Sequence, residues 1–125
     1  NPGNLLNEMY RVLKPNGRLV VSLPFFWQEH EEPFDFLRFS SFGITHLLKE
    51  RRFKIEKLIK DSGAIDTLTT IVIVYIGNNL VPKIYGFSKL FTLFCFPIQV
   101  FSLFLSKILP DKGQLYLNLV VQAKK

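Results

Sequence analysis

Glu8-Met9-Tyr10-Arg11-Val12-Leu13-Lys14-Pro15-Asn16-Gly17-Arg18-Leu19-Val20-Val21-Ser22-Leu23-Pro24-Phe25 changes its hydrophobic period in the middle. Before Lys14 the apolar residues Leu5, Leu6, Met9, Val12 and Leu13 recur at helical spacing, one stripe of an amphipathic helix. Asn1 can cap that helix, and Pro2 fits its first turn, where a missing N–H costs nothing. Lys14-Pro15-Asn16-Gly17 ends it, with a cation at the negative helix end and Asn-Gly ready for positive φ. Arg18 to Leu23 is then a short strand. Because Leu19, Val20 and Val21 are consecutive, both of its faces are expected to be buried, as in a parallel sheet covered by helices.

Working outward, residues 24–33 hold two prolines, three adjacent aromatics (Phe25, Phe26, Trp27) and three glutamates, a loop composition. Ser40 or Ser41 caps a second helix that turns Ile44, Leu47 and Leu48 inward and ends at Arg51-Arg52. Phe53 to Asp61 reads as a strand broken by Ser62-Gly63. From Ala64 to Leu109 the chain becomes apolar, with an aliphatic run at Ile71 to Ile76 and 17 uncharged residues from Leu90 to Ser106, interrupted by Pro97. After the turn Asp111-Lys112-Gly113, Leu115, Leu117, Leu119 and Val121 alternate with Tyr116, Asn118, Val120 and Gln122, a final strand.

With 125 residues the chain is long enough for one small domain with a core. Its net charge of +6 is uneven. Residues 1–62 carry ten Lys/Arg against eight Asp/Glu, and residues 63–125 carry six against two. The excess therefore lies beside the most apolar stretch, which favours an anionic membrane surface over nucleic acid. Cys95 is the single cysteine, so neither an intrachain disulfide nor a cysteine metal cluster can form. There is no glycine-rich phosphate loop, no Gly-x-Ser-x-Gly and no His-Glu-x-x-His, which leaves hydrolase, kinase and metalloprotease readings without support. Glu29, Glu31 and Glu32 lack metal-ligand spacing and read as a solvated acidic face, so no metal is expected.

The run Arg11-Val12-Leu13-Lys14-Pro15-Asn16-Gly17 followed by an apolar strand resembles the second half of a class I S-adenosylmethionine-dependent methyltransferase of the type 11 kind. The downstream pattern His30-x-x-Pro33-x-Asp35-Phe36-x-Arg38-Phe39-Ser40 looks like a subgroup that acts on bacterial polysaccharides and lipid-linked glycans. The family commonly has a second glycine where this chain has Asn16, and a glycine where it has Arg52. The resemblance implies the C-terminal part of a Rossmann-like α/β sheet, in the order helix-strand-helix-strand-strand, with an apolar helical insertion before the last strand. Residues 1–125 would be a single partial domain, and residues 63–113 the insertion. The glycine-rich turn and acidic residue that bind S-adenosylmethionine in such enzymes would lie upstream, so this chain is expected to be a C-terminal fragment with no cofactor-binding residue of its own.

Ligands of such sheets lie beyond the carboxyl ends of the strands, where the loop from Phe25 to Phe39 begins. Methyl transfer to a hydroxyl needs positioning and a base. Histidine changes charge near neutral pH, and His30 is the candidate base; otherwise it only hydrogen-bonds the loop. Asp35 and Arg38, three apart, would pair if that stretch turns helically. Arg38 either grips an anionic group on the acceptor or pins the loop. Phe25, Phe26, Trp27, Phe36 and Phe39 are candidates to line the acceptor pocket together with Asp35 and Arg38, and His46 is a surface or capping residue. The expected acceptor is a small-molecule or lipid-linked glycan, and the expected location is cytoplasmic, peripheral at the inner face of the membrane. The alternative is a non-catalytic membrane-associating or interaction module derived from a methyltransferase.

Three readings of the insertion remain open. It can be a lid lying in the membrane interface, with Lys83, Lys89, Lys107 and Lys112 reaching headgroups. It can be a buried helical hairpin. It can also contain one span from Leu90 to Ser106, which is short of the roughly 20 residues a span needs and would separate two strands of one sheet. The first reading is favoured, with the loop and the insertion together forming the acceptor site.

Overall fold

The computed structural model describes residues 1–82 and 86–125; Lys83, one of the four lysines expected at headgroups, lies outside them. Among the described residues the chain is mixed α/β, with four helices and one three-stranded antiparallel sheet. The order is α1 (Pro2–Val12), β1 (Arg18–Pro24), α2 (Ser41–Glu50), β2 (Lys54–Asp61), α3 (Ala64–Asn79), α4 (Phe87–Ile108) and β3 (Asn118–Lys124). The chain divides into two compact units, Asn1–Asp61 with Leu117–Lys125, and Ser62–Tyr116.

In the first unit the helix starts as its sequence dictates. The Asn1 side-chain oxygen accepts from the Gly3 and Asn4 backbone N–H groups at 2.9 and 3.3 Å, and Pro2 occupies the first turn. The chain leaves α1 through Asn16, whose φ of 64° is one that asparagine tolerates. β1 and β2 each pair antiparallel with β3, which lies between them, so β1 and β2 run parallel to one another. Val121 sits opposite Val21 on one side and Leu58 on the other. A bulge between Ile55 and Lys57 frees Glu56, whose carboxylate accepts from Arg18 of β1 at 3.0 Å and Gln122 of β3 at 2.8 Å. One side chain therefore ties all three strands.

The core of this unit is Leu119, Val121 and Ala123 on the inward face of β3, with Ile44 and Leu48 of α2, Phe53 and Leu6. Burying each large aliphatic side chain contributes roughly 1.5–3 kcal/mol. Arg51, just past α2, reaches back to α1: its Nε donates to the Gly3 carbonyl at 3.2 Å. A Cβ at Gly3 would stand 2.4 Å from the Arg51 guanidinium, so a larger residue there would push that side chain aside. The end of α1 is capped by Lys125, whose Nζ donates to the Leu13 carbonyl at 2.8 Å and lies over the Tyr10 ring.

Three expectations are corrected here. β1 is not covered on both faces: exposure alternates along it, and Val20 is 64% exposed. A run of apolar residues shows that burial is affordable on either face, not that both faces find a cover. The α1 stripe is broader than its cover, because Leu6 is buried while Leu5 and Val12 are exposed. The last strand starts at Asn118, so Leu115 and Leu117 precede it, and Tyr116 is the buried residue of that approach. On its free edge β1 pairs with no strand among the described residues.

The second unit is a pair of helices with its own hydrogen bonds. α3 has no side-chain cap from Gly63; instead the Asp111 carboxylate, beyond α4, accepts from the Ala64 N–H and the Gly113 N–H, both at 2.8 Å. That carboxylate sits at the positive end of α3 and ties the two ends of the helix pair together. Between the helices, Asp66 Oδ1 accepts from Gln99 Nε2 at 2.6 Å and Ser102 Oγ at 3.1 Å, and Gln99 Nε2 also donates to Thr70 Oγ1 at 2.9 Å. The outward residues of α4 are apolar: Leu93, Phe94, Phe96, Ile98, Val100, Phe101, Leu103 and Phe104 are each about half exposed or more.

Candidate functional site

The loop that follows β1 leaves from the strand's carboxyl end. Its first residue is anchored, since the Phe25 N–H donates to the Leu117 carbonyl at 2.8 Å. β2 ends at Asp61, opposite the same β3 residue, Asn118, that faces Pro24. Both parallel strands therefore finish on one rim of the sheet, and the loop rises from it. The turn at Glu31 to Phe34 is closed by the Phe34 N–H donating to the Glu31 carbonyl at 2.6 Å. At the far end Ser40 caps α2, its hydroxyl accepting from the Gly43 N–H at 3.1 Å.

Inside this loop three sequence-selected residues meet. Arg38 Nη2 donates to Asp35 Oδ2, and to the Gln28 carbonyl at 3.2 Å. His30 Nδ1 lies 3.4 Å from the same carboxylate oxygen and 3.2 Å from the Gln28 carbonyl. Arg38 Nη2 stands 3.4 Å from His30 Nδ1 as well. Two oxygen acceptors at Nδ1 outweigh that one long donor and select the tautomer with its proton on Nδ1. In the neutral ring that tautomer leaves the lone pair on Nε2, on a side chain 39% exposed. Asp35 is the more buried partner and Arg38 is partly buried. The Arg38 Nη1 nitrogen is buried and has no hydrogen-bond partner among the described residues. An unmatched donor on a buried cation is costly.

The Asp35–Arg38 pair forms without the helical turn expected for it, because residues 34–40 are irregular backbone. A cleft of about 330 Å³ opens beside it, lined by Pro24, His30, Glu31, Phe34, Asp35 and Phe36, with Leu37. Phe34 and Phe36 meet edge to face at 6.1 Å and are largely exposed. Of the sequence-selected residues His30, Asp35 and Phe36 line this cleft, and Phe25, Phe26, Trp27, Arg38 and Phe39 do not. Sequence reasoning passed over Phe34 and Leu37, and it missed the Gln28 carbonyl, a backbone acceptor that leaves no mark in a side-chain pattern. Among the described residues no cluster of three or more His, Cys, Asp or Glu is placed to hold a metal ion.

His46 stands apart on α2, its Nε2 3.3 Å from Glu50, whose other oxygen accepts from Arg51 at 2.8 Å. The Arg51 hydrogen bond first, and the nearby His46 charge second, hold the Glu50 carboxyl below its usual range. The Glu8–Arg11 pair on α1 lowers Glu8 and raises Arg11 through the same kind of bond. Both pairs are exposed and are surface features rather than a second site.

No family model matches the chain, and no curated protein matches it at a significant level.

Proposed function

We propose that this chain is the C-terminal portion of an S-adenosylmethionine-dependent methyltransferase that acts on a glycan, lipid-linked or other amphiphilic acceptor. The observation that carries the reading is the His30–Asp35–Arg38 cluster, on a loop at the carboxyl end of β1, with His30 and Asp35 lining the adjoining cleft. The element order lends support: a helix leads into β1, and the last two strands pair antiparallel, as the Arg11-to-Gly17 resemblance implies. In this reading His30 Nε2 takes the acceptor hydroxyl proton, and Asp35 and the Gln28 carbonyl hold the ring in the required tautomer. Arg38 binds an anionic group of the acceptor, and Phe34 and Phe36 supply apolar contact. The residues of this chain do not themselves fit the cofactor. No glycine lines the cleft, so nothing here offers the close backbone approach that a Rossmann-type site uses. The cofactor contacts are assigned upstream.

The test is steady-state kinetics on the full-length protein. His30→Ala should lower kcat by about 100-fold, the low end for loss of a general base, with cofactor affinity unchanged. Arg38→Ala should raise the acceptor KM by roughly tenfold or more, as for a lost charged hydrogen bond. An unaltered kcat in His30→Ala would remove the catalytic assignment. The second reading, a non-catalytic membrane-associating module, is favoured by the exposed apolar surface of α4. An upstream strand and glycine-rich turn in the complete reading frame would decide for the enzyme.

A further inference from the structure

The helical unit is apolar on its outer faces and carries a polar seam between its helices. In a water-soluble helix pair the facing stripes are apolar and the outer faces polar. Here the buried or half-buried α4 positions from Phe91 to Ser106 are Phe91, Cys95, Gln99, Ser102, Leu105 and Ser106, three of them polar, and Phe94 and Ile98 line an apolar groove shared with α3. Of the exposed positions from Leu90 to Phe104 only Thr92 is polar, and its hydroxyl is already spent on the Ser88 carbonyl at 2.9 Å. On α3, Asp66, Thr70 and Gly77 meet α4, Leu68, Val72, Ile73 and Ile76 line the shared apolar groove, and Leu68, Val72 and Tyr75 are about half exposed. Gly77 lets Phe91 approach so closely that a Cβ would lie 3.1 Å from its ring. Small residues at the contact and polar side chains bonded across it are how helices associate in lipid, where apolar faces gain nothing by meeting.

We infer that α3 and α4 enter a lipid bilayer as a helical hairpin, with both of their outer ends held at the same membrane surface. Four observations converge on lipid as the occupant. α4 is long and apolar enough to cross a membrane; its 22 residues reach about 33 Å at 1.5 Å each, against a hydrocarbon core of about 30 Å. Its uncharged stretch is bracketed by Lys89 and Lys107, with Lys112 beyond, cations that complement anionic headgroups. The Asp111 carboxylate clamps the start of α3 to the segment just past α4, so the hairpin begins and ends at one place. Asp66, the one carboxylate in α3 and α4, is the third residue of α3, about 3 Å from its start at that rise per residue, within reach of the interface and already hydrogen-bonded to Gln99 and Ser102.

This geometry differs from a helix lying in the interface plane, which needs one strongly polar face for water; α4 has none to offer. It differs from a single span too, because a returning pair leaves β2 and β3 on one side. The inference rests on the membrane part of the reading above and is independent of methyl transfer.

The test uses the 125-residue chain added to preformed phosphatidylcholine vesicles, with and without phosphatidylglycerol. Flotation with the neutral vesicles should persist in about 1 M salt, where charge attraction is screened within about 3 Å. In a Cys95→Ala background, Lys112→Cys should react with a membrane-impermeant maleimide. Asn79→Cys and Phe101→Cys should react at least about tenfold more slowly, a protection that detergent abolishes. Salt-released binding with a fully reactive Phe101→Cys would overturn the hairpin and leave a peripheral membrane contact standing. Failure to float with either vesicle would overturn both.

Discussion

In the sheet unit β3 turns Leu119, Val121 and Ala123 into a dry interior, and its polar ties, such as Glu56 with Arg18 and Gln122, lie at the surface. In the helical unit Asp66, Gln99 and Ser102 bond to each other inside, and the phenylalanines of α4 face out. One chain thus carries two opposite solutions to the same requirement that polar groups find partners and apolar groups avoid water. The first arrangement is stable in water. The second leaves a surface that water penalises and lipid does not, so the solvent of each unit can be read from which side its polar groups occupy.

Matched truncations give the sharpest way to break this contrast. Leu48, fully buried, should cost about 3 kcal/mol on Leu48→Ala, through lost burial and the cavity left behind. Phe101→Ala, on the outer face of α4, should change unfolding stability in mild detergent by less than about 0.5 kcal/mol. Denaturant midpoints of the two variants would settle the matter, and equal losses would mean that α4 packs its outer face against protein. Next in size, Asp66→Ala should destabilise the helical unit by about 2 kcal/mol, because Gln99 and Ser102 lose a shared acceptor. Hydrogen exchange along α3 and α4 is the measurement, and Asp66→Asn should recover most of the loss. The smallest effect is a gain. Arg52 holds a φ of 67°, where a side chain costs roughly 1 kcal/mol or more, so Arg52→Gly should stabilise the sheet unit by about 1 kcal/mol in urea unfolding. Protection of α3 and α4 should not move.

What the sequence made legible follows from how local each signal is. The Asn1 cap, the Pro2 start, the Asn16 turn and the Ser40 cap act within a few residues, and each appears where the sequence puts it. The burial of β1 and the width of the α1 stripe depend on what else covers them, and here local apolarity overstated the cover. Arg52 shows the reverse: a left-handed turn is kept although the residue there is a poor one for it, so the turn is set by the ends of α2 and β2 rather than by local preference. At the candidate site the spacing of Asp35 and Arg38 anticipated their pair but not the approach of His30 to it. It did not reveal the irregular backbone that joins them or the Gln28 carbonyl at their centre. The polar seam of the hairpin was hidden because Asp66 and Gln99 lie 33 positions apart and look like isolated polar residues in apolar runs.

The place of β3 in the sheet has a temporal consequence. It is the middle strand, yet it is translated after β1, β2 and both apolar helices. While the ribosome is still adding residues, β1 and β2 have no common neighbour, and the most water-averse segment of the chain is already out. The nascent polypeptide therefore spends its vulnerable interval with two open strand edges beside exposed phenylalanines, the condition in which chains aggregate. A bilayer or a chaperone that receives α3 and α4 during that interval would protect the unfinished sheet without touching it.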